Sequence, residues 1–225
     1  MNTIAKMPSL LFIISVFLIT SCIIIPFNSG GFGKTSLKPV NLSVIEKQVL
    51  YETNLARSNP RFYAQKIRKR LRYYDGRLLR RPGKINIRTR EGKKAVIEAI
   101  NYLMKVRPMG KLKASKGMSI ACRVHVKDQG RTGKIGHYGS DGSSPFDRMK
   151  RYGKILITAG ENLSYGPSTG EDIVIQLIID DGVSNRGHRK NIFNEKFTVI
   201  GIAFGFHPRY GKMCAIDYAG GFIDK

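Results

Sequence analysis

Apolar residues return at helical spacing in five stretches of the chain and run as strands near its end. Ser43 followed by Glu46 has the form of a capping box. Val44, Ile45, Val49, Leu50 and Leu55 then predict a helix that Ser58-Asn59-Pro60 stops. A second helical piece is expected over Phe62 to Tyr74. Asp75-Gly76 turns the chain into an Arg-rich stretch without firm period, punctuated by Pro82-Gly83. Ala95, Val96, Ala99, Ile100 and Leu103 predict a helix over Glu91 to Lys105, broken by Pro108-Met109-Gly110. Ser115 is the expected cap of the next helix, through Met118, Ile120, Ala121, Val124 and Val126 to near Gly130. Pro145 to Met149 begins a short helical turn. The β-rich segment 155–158 leads into Gly160, and Ile173, Val174, Leu177 and Ile178 predict a buried helix closed by Asp180-Asp181-Gly182. Thr198–Phe206 and Lys212–Tyr218 read as two strands of a hairpin turned by 207–211, with glycines in the first that imply close approach of another layer. Helices first and an antiparallel hairpin last predict an α+β layered domain.

Charge changes this picture. The formal net charge is +23, and between Arg57 and Lys94 fifteen Lys and Arg face only Asp75 and Glu91, a local excess of +13. More than half of the surplus lies in one segment, which predicts attraction to an anionic lipid or cell-envelope surface or, as a bland alternative, a solvated basic loop. The N-terminus carries a targeting signal. Lys6 precedes the apolar run Leu10 to Ile19, and Ile19-Thr20-Ser21-Cys22 resembles a bacterial lipobox, although Ser21 is not the usual small residue and Ile23-Ile24-Ile25 prolongs the run. Residues 1–22 are therefore expected to be a signal peptide, of lipoprotein type if Cys22 is lipidated, 23–43 a linker, and the domain exported, whether as a membrane-anchored lipoprotein, on an uncleaved signal anchor, or as a secreted or periplasmic protein. Cys122 and Cys214 are then a pair in an oxidising compartment, free or bridged.

The residues suited to chemistry are His137, Glu161 and His188, each set in a run of glycine and polar residues rather than apolar ones. Two imidazoles and one carboxylate are a ligand set for Zn2+ with an open fourth position. The His-Glu-x-x-His helix of zinc proteases and the Gly-x-Ser-x-Gly elbow of serine hydrolases are both missing from the chain, and Cys122 lies mid-helix among apolar neighbours. Each candidate has a plainer reading: Glu161 or Asn162 as a cap of the following helix, and His137 as a bond to its own loop. His125 reads as a structural histidine and His207 as an exposed hairpin residue. Asp141 and Asp147 read as supports of the His137 loop, with Asp147-Arg148 a local ion pair.

Gly136-His137, Gly160-Glu161-Asn162-Leu163, Gly187-His188-Arg189-Lys190-Asn191-Ile192 and Val199-Ile200-Gly201-Ile202-Ala203 resemble, in this order, the CAP superfamily. That group, also called the SCP domain, takes in cysteine-rich secretory proteins, antigen five and pathogenesis-related plant proteins; its bacterial branch is the more similar. The resemblance covers about 44–222, with a basic insert near 61–105. It implies an α-β-α sandwich with a central antiparallel sheet and a cleft lined by two His and two acids. His137, Glu161 and His188 match three of these. For the second acid the family's pattern has a Glu one turn beyond a Trp; here Leu177 stands at the Trp position and Asp180 one turn on, with Asp181 adjacent.

Two functions follow as expectations. The first is an exported ligand-binding module for a small lipid or peptide. The second is a metal-dependent, peptidase-like hydrolase using His137, Glu161, Asp180 and His188. Nucleic-acid binding, resting on Phe62, Tyr63, Tyr73 and Tyr74 among the basic residues, fits export poorly.

Overall fold

Ser43 does cap the first helix, α1 (Val44–Ser58): its hydroxyl accepts the Glu46 N–H at 3.3 Å while the Glu46 carboxylate accepts the Ser43 N–H at 2.7 Å. The computed structural model describes residues 40–225, so the expected signal peptide and most of the linker lie outside the described residues. After α1 come α2 (Pro60–Arg68), a single 3-10 turn (Leu71–Tyr73), and three two-residue strands, β1 (Tyr74–Asp75), β2 (Leu78–Leu79) and β3 (Ile87–Arg88), paired antiparallel in that order. The second helix therefore ends sooner than its apolar spacing predicts, and the stretch without period is a small sheet. Strands of two residues are too short to display an alternation.

The chain continues through α3 (Lys93–Lys105), β4 (Lys113–Ala114), α4 (Lys116–Thr132) and α5 (Pro145–Tyr152). Then follow β5 (Gly153–Ile155), β6 (Ala159–Tyr165), α6 (Gly170–Ile179), α7 (Gly187–Ile192), β7 (Val199–His207), β8 (Gly211–Ala219) and β9 (Phe222–Asp224). The main sheet has the order β4-β7-β8-β6, antiparallel except where the edge strand β4 runs parallel to β7.

Alternation along β7 and β8 sorts the core into two layers. Ile200, Ile202, Cys214, Ile216 and Tyr218 share one cluster with residues of α1, α3 and α6, such as Val49, Ala99 and Ile178. Ala203, Met213 and Ala215 point the other way, onto Cys122 and Val126 of α4, and Ala219 packs with Met118, Ala121 and Met149 of α4 and α5. Helices cover both faces, which makes the α-β-α sandwich. Gly201 explains how α4 lies so close: a Cβ there would stand 2.4 Å from the Met118 backbone.

Cys122 and Cys214 are both free and buried, one beneath each face of the sheet. Among the described residues no helix is long and apolar enough to cross a membrane.

Lys38–Lys225 form one compact unit, and the core described above draws only on residues of that unit. Produced alone, the unit is expected to unfold in one cooperative thermal transition. Far-UV and near-UV circular dichroism give the measurement, and non-coincident melting curves at the two wavelengths would count against it.

Candidate functional site

The strand β6 carries the Gly160-Glu161-Asn162 run and delivers its two polar side chains to opposite faces, as a strand must. This corrects the reading of Glu161 or Asn162 as a helix cap, since the run lies within a seven-residue strand paired along its length with β8. A Gly-Glu-Asn composition resembles a cap, and only the pairing with β8 reveals the strand.

Glu161 faces α5 and the loop after α4. Its Oε1 meets His137 Nδ1 at 2.8 Å and its Oε2 accepts from Arg148 Nη2 at 2.7 Å. Arg148 also donates to the carbonyls of His137 and Ser143, both at 3.0 Å, so one guanidinium holds the carboxylate and the imidazole's own backbone. The expected Asp147–Arg148 ion pair does not form. Asp147 instead completes the capping box of α5 with Ser144, and a helix turns the neighbouring side chain toward the core. The His137 loop is further pinned at Gly136, whose carbonyl meets His125 Nε2 at 2.9 Å and Gln129 Nε2 at 2.6 Å. Asp128 accepts the Ser140 N–H, and Asp141 accepts from Ser143. His125 is fully buried, as its helix position predicts, whereas His207 is buried too, contrary to its expected exposure. Its ring packs between Tyr165 and Tyr210 and its Nε2 meets the Lys134 carbonyl, so the hairpin end folds inward.

Asn162 faces the opposite layer. Its Nδ2 donates to the His188 carbonyl at 3.0 Å, and Asn191 Nδ2 returns to Asn162 Oδ1 at 2.9 Å and to the Glu161 carbonyl at 3.2 Å. His188 lies in α7, and its Nδ1 meets Asp180 Oδ1 at 2.6 Å. Asp180 Oδ2 accepts the backbone N–H of His188 at 2.9 Å and of Arg189 at 3.3 Å. Asp180 reaches this position by ending α6 in a left-handed conformation, φ 56°. Asp181 turns away and accepts the N–H groups of Arg90 and Glu91. Arg186, also left-handed at φ 52°, is clasped by Glu91 and Glu98, tying the His188 loop to the segment around α3.

Two dyads therefore flank the outer edge of β6. In each, a carboxylate almost wholly buried (1% for Glu161, 2% for Asp180) holds Nδ1 of a more exposed imidazole (48% for His137, 26% for His188). Both carboxylates are committed behind their imidazoles. This differs from the expected set in which Glu161 joins the histidines as a ligand: among the described residues, no three His, Cys, Asp or Glu side chains gather as a metal cluster.

Sequence reasoning overlooked two further groups. Arg148 reads in the sequence only as the local ion-pair partner of Asp147. Asp217 on β8 stands opposite Glu161 in register, wholly buried, with neither side-chain oxygen hydrogen-bonded. Burial, then the charge of Glu161, raises its carboxyl well above the usual range. A lone acid in the apolar run 213–218 was the available signal. Burial likewise pushes the Cys122 thiol up, which removes it as a thiolate nucleophile.

Residues 97–218 match the family described as CAP, Cysteine-rich secretory protein family. Over 111 residues the chain is 32% identical to the uncharacterized protein YkwD of Bacillus subtilis, a match covering 49% of this chain and 41% of that protein's length. Among solved structures, an outer surface protein from Borrelia burgdorferi aligns at 14% identity over 49% of this chain and 78% of that one, TM-score 0.42. An extracellular SCP-domain protein from Bacillus anthracis aligns at 21% identity over 56% of this chain and 39% of that one, TM-score 0.41.

Proposed function

We propose, from the premise that this chain belongs to the CAP (cysteine-rich secretory protein) family, that it is an exported envelope module binding its ligand at the paired imidazoles of His137 and His188. One observation carries the reading: each imidazole has Nδ1 fixed by a buried carboxylate, leaving Nε2 as the atom available to a ligand. The apolar run 10–19 supports export. Zn2+ fits this donor set in part. His137 and His188 would hold it, with Glu161 and Asp180 orienting the rings rather than coordinating, and a bound ion would supply Lewis-acid polarisation of a small lipid or peptide ligand. Hydrolysis is the second reading, favoured by the Asp180–His188 contact, since a carboxylate-oriented imidazole can serve as a general base toward water.

Calorimetric titration of Zn2+ into the unit Lys38–Lys225 tests the binding reading. Saturable binding is expected, with loss of at least ten-fold in affinity in His137→Ala and in His188→Ala, and roughly 10–100-fold in Asp180→Asn. Unchanged affinity in both histidine variants would overturn it. Peptidase activity that survives His188→Ala and Glu161→Gln would overturn the hydrolase reading.

A further inference from the structure

Away from both imidazoles, a hollow of about 410 Å3 opens between α2 and the turn before β3, lined by Lys66, Lys69, Arg70, Arg72, Arg81 and Lys84, with Glu171 as the one carboxylate among them. Three of these cations form its floor and are neutralised from other elements. Lys66 pairs with Glu52 at 2.8 Å and Glu171 at 3.1 Å, Arg70 with Glu171 at 2.7 Å and Asp172 at 2.8 Å, and Arg81 with Asp172 at 2.6 Å. Those pairs fix the shape. The other three stand at the exposed rim, and among the described residues no carboxylate lies within salt-bridge distance of Lys69, Arg72 or Lys84. Beside Lys84 in the chain, Ile85 is 89% exposed, and Ile87 is 48% exposed. Cations without a carboxylate partner around a concavity recognise a phosphoryl group, and bare isoleucines next to them have no role toward a soluble anion. At a membrane both find a partner, cations at the headgroup level and apolar side chains at the acyl boundary. A base-stacking surface is poorly provided by comparison: Tyr63 and Tyr74 are buried and Tyr73 is covered by Arg72, 4.8 Å from its ring, which leaves Phe62, 50% exposed, as a single platform.

We propose that this hollow is a headgroup site for an anionic phospholipid, with Lys69, Arg72 and Lys84 on the phosphate and Ile85 and Ile87 entering the acyl boundary. The proposal rests on the reading of the chain as an exported envelope module, and not on the imidazole site.

The test is co-sedimentation of the unit Lys38–Lys225 with phosphatidylcholine vesicles, with and without phosphatidylglycerol. Using the isolated unit removes the apolar N-terminal run, which would bind vesicles by itself. Partition onto the anionic vesicles is expected to be at least ten-fold stronger. It should fall sharply between about 0.1 M and about 1 M salt, as the Debye length shrinks from about 10 to about 3 Å. The triple variant Lys69→Ala/Arg72→Ala/Lys84→Ala is expected to lose about 100-fold, and Ile85→Ser/Ile87→Ser about ten-fold. All five of these side chains are exposed, and circular dichroism checks that each variant folds. Equal partition onto neutral vesicles, or a triple variant that partitions like the parent, would overturn the proposal. Saturable binding of inorganic phosphate without vesicle binding would reassign the site to a soluble phosphate and overturn the role of the isoleucines. Tighter binding to a single-stranded oligonucleotide than to anionic vesicles would overturn it as well. The His137→Ala/His188→Ala variant should partition normally, so that failure of the zinc titration and failure here are told apart.

Discussion

Arg148→Ala is expected to cost about 3–5 kcal/mol of stability and, in the molecules that remain folded, to lower Zn2+ affinity at His137 at least ten-fold. Arg148 and Glu161 are each 1% exposed, so the ion pair is closed to solvent. Removing the guanidinium leaves a buried carboxylate with His137 as its remaining partner, directly across from the unpaired carboxyl of Asp217. It also orphans the carbonyls of His137 and Ser143. Such a charge has no good alternative in the interior, and breaking a buried pair from one side is far more costly than replacing both partners. Urea unfolding measures the loss. Arg148→Lys should recover only part, since one ammonium lacks the fork that reaches three acceptors. The double variant Arg148→Met/Glu161→Gln should be more stable than Arg148→Ala alone. A loss below about 1 kcal/mol, the range of an exposed pair, would show that the bridge is not what holds the loop.

Arg57→Met is expected to lower stability by about 4 kcal/mol through a different deficit. Arg57 is 1% exposed at the end of α1 and donates to four carbonyls. These are Gly110 at 2.9 Å, Ile192 at 2.7 Å, Asn194 at 3.0 Å and Phe197 at 3.1 Å. No acid shares the charge in these bonds. The side chain acts as a clamp that satisfies the backbone between α7 and β7. Methionine fills much of the volume and leaves the carbonyls bare. For a domain of this size the change corresponds to a drop of about 10 °C in Tm, which differential scanning calorimetry reads directly; a drop of under about 3 °C would mean that water replaces the guanidinium at little cost.

How much of this was readable in advance depended on the range of the interaction. The capping box of α1 and the β7–β8 hairpin are written in residues a few positions apart, and both form where the pattern places them. His137, Glu161, Asp180 and His188 could be named as candidates, and Asp180 rather than Asp181 meets His188. Their pairing was not legible, because Glu161 reaches His137 across 24 positions and β6 had to be a strand for Glu161 and Asn162 to serve opposite faces. The charge of the basic segment was legible as a sum but not as a surface. Glu52, Glu171 and Asp172 come from α1 and α6 to neutralise Lys66, Arg70 and Arg81, and nothing local in the segment foretells those partners. The expectation for His207 failed for a related reason: a turn position says exposed, but Tyr165 from β6 closes over the ring together with Tyr210 of the turn itself.

Finally, the placement of Cys122 and Cys214 beneath opposite faces of the sheet bears on how the protein matures. The sheet stands between the two sulfurs, and both are sealed in apolar packing. Joining them would require tearing the sandwich open. The fold is thus complete without thiol oxidation and should form equally well in a reducing or an oxidising medium. A chain from a family named for its cysteines holds this sandwich together by apolar packing, with Arg57 and Arg148 tying its loops through their backbone carbonyls.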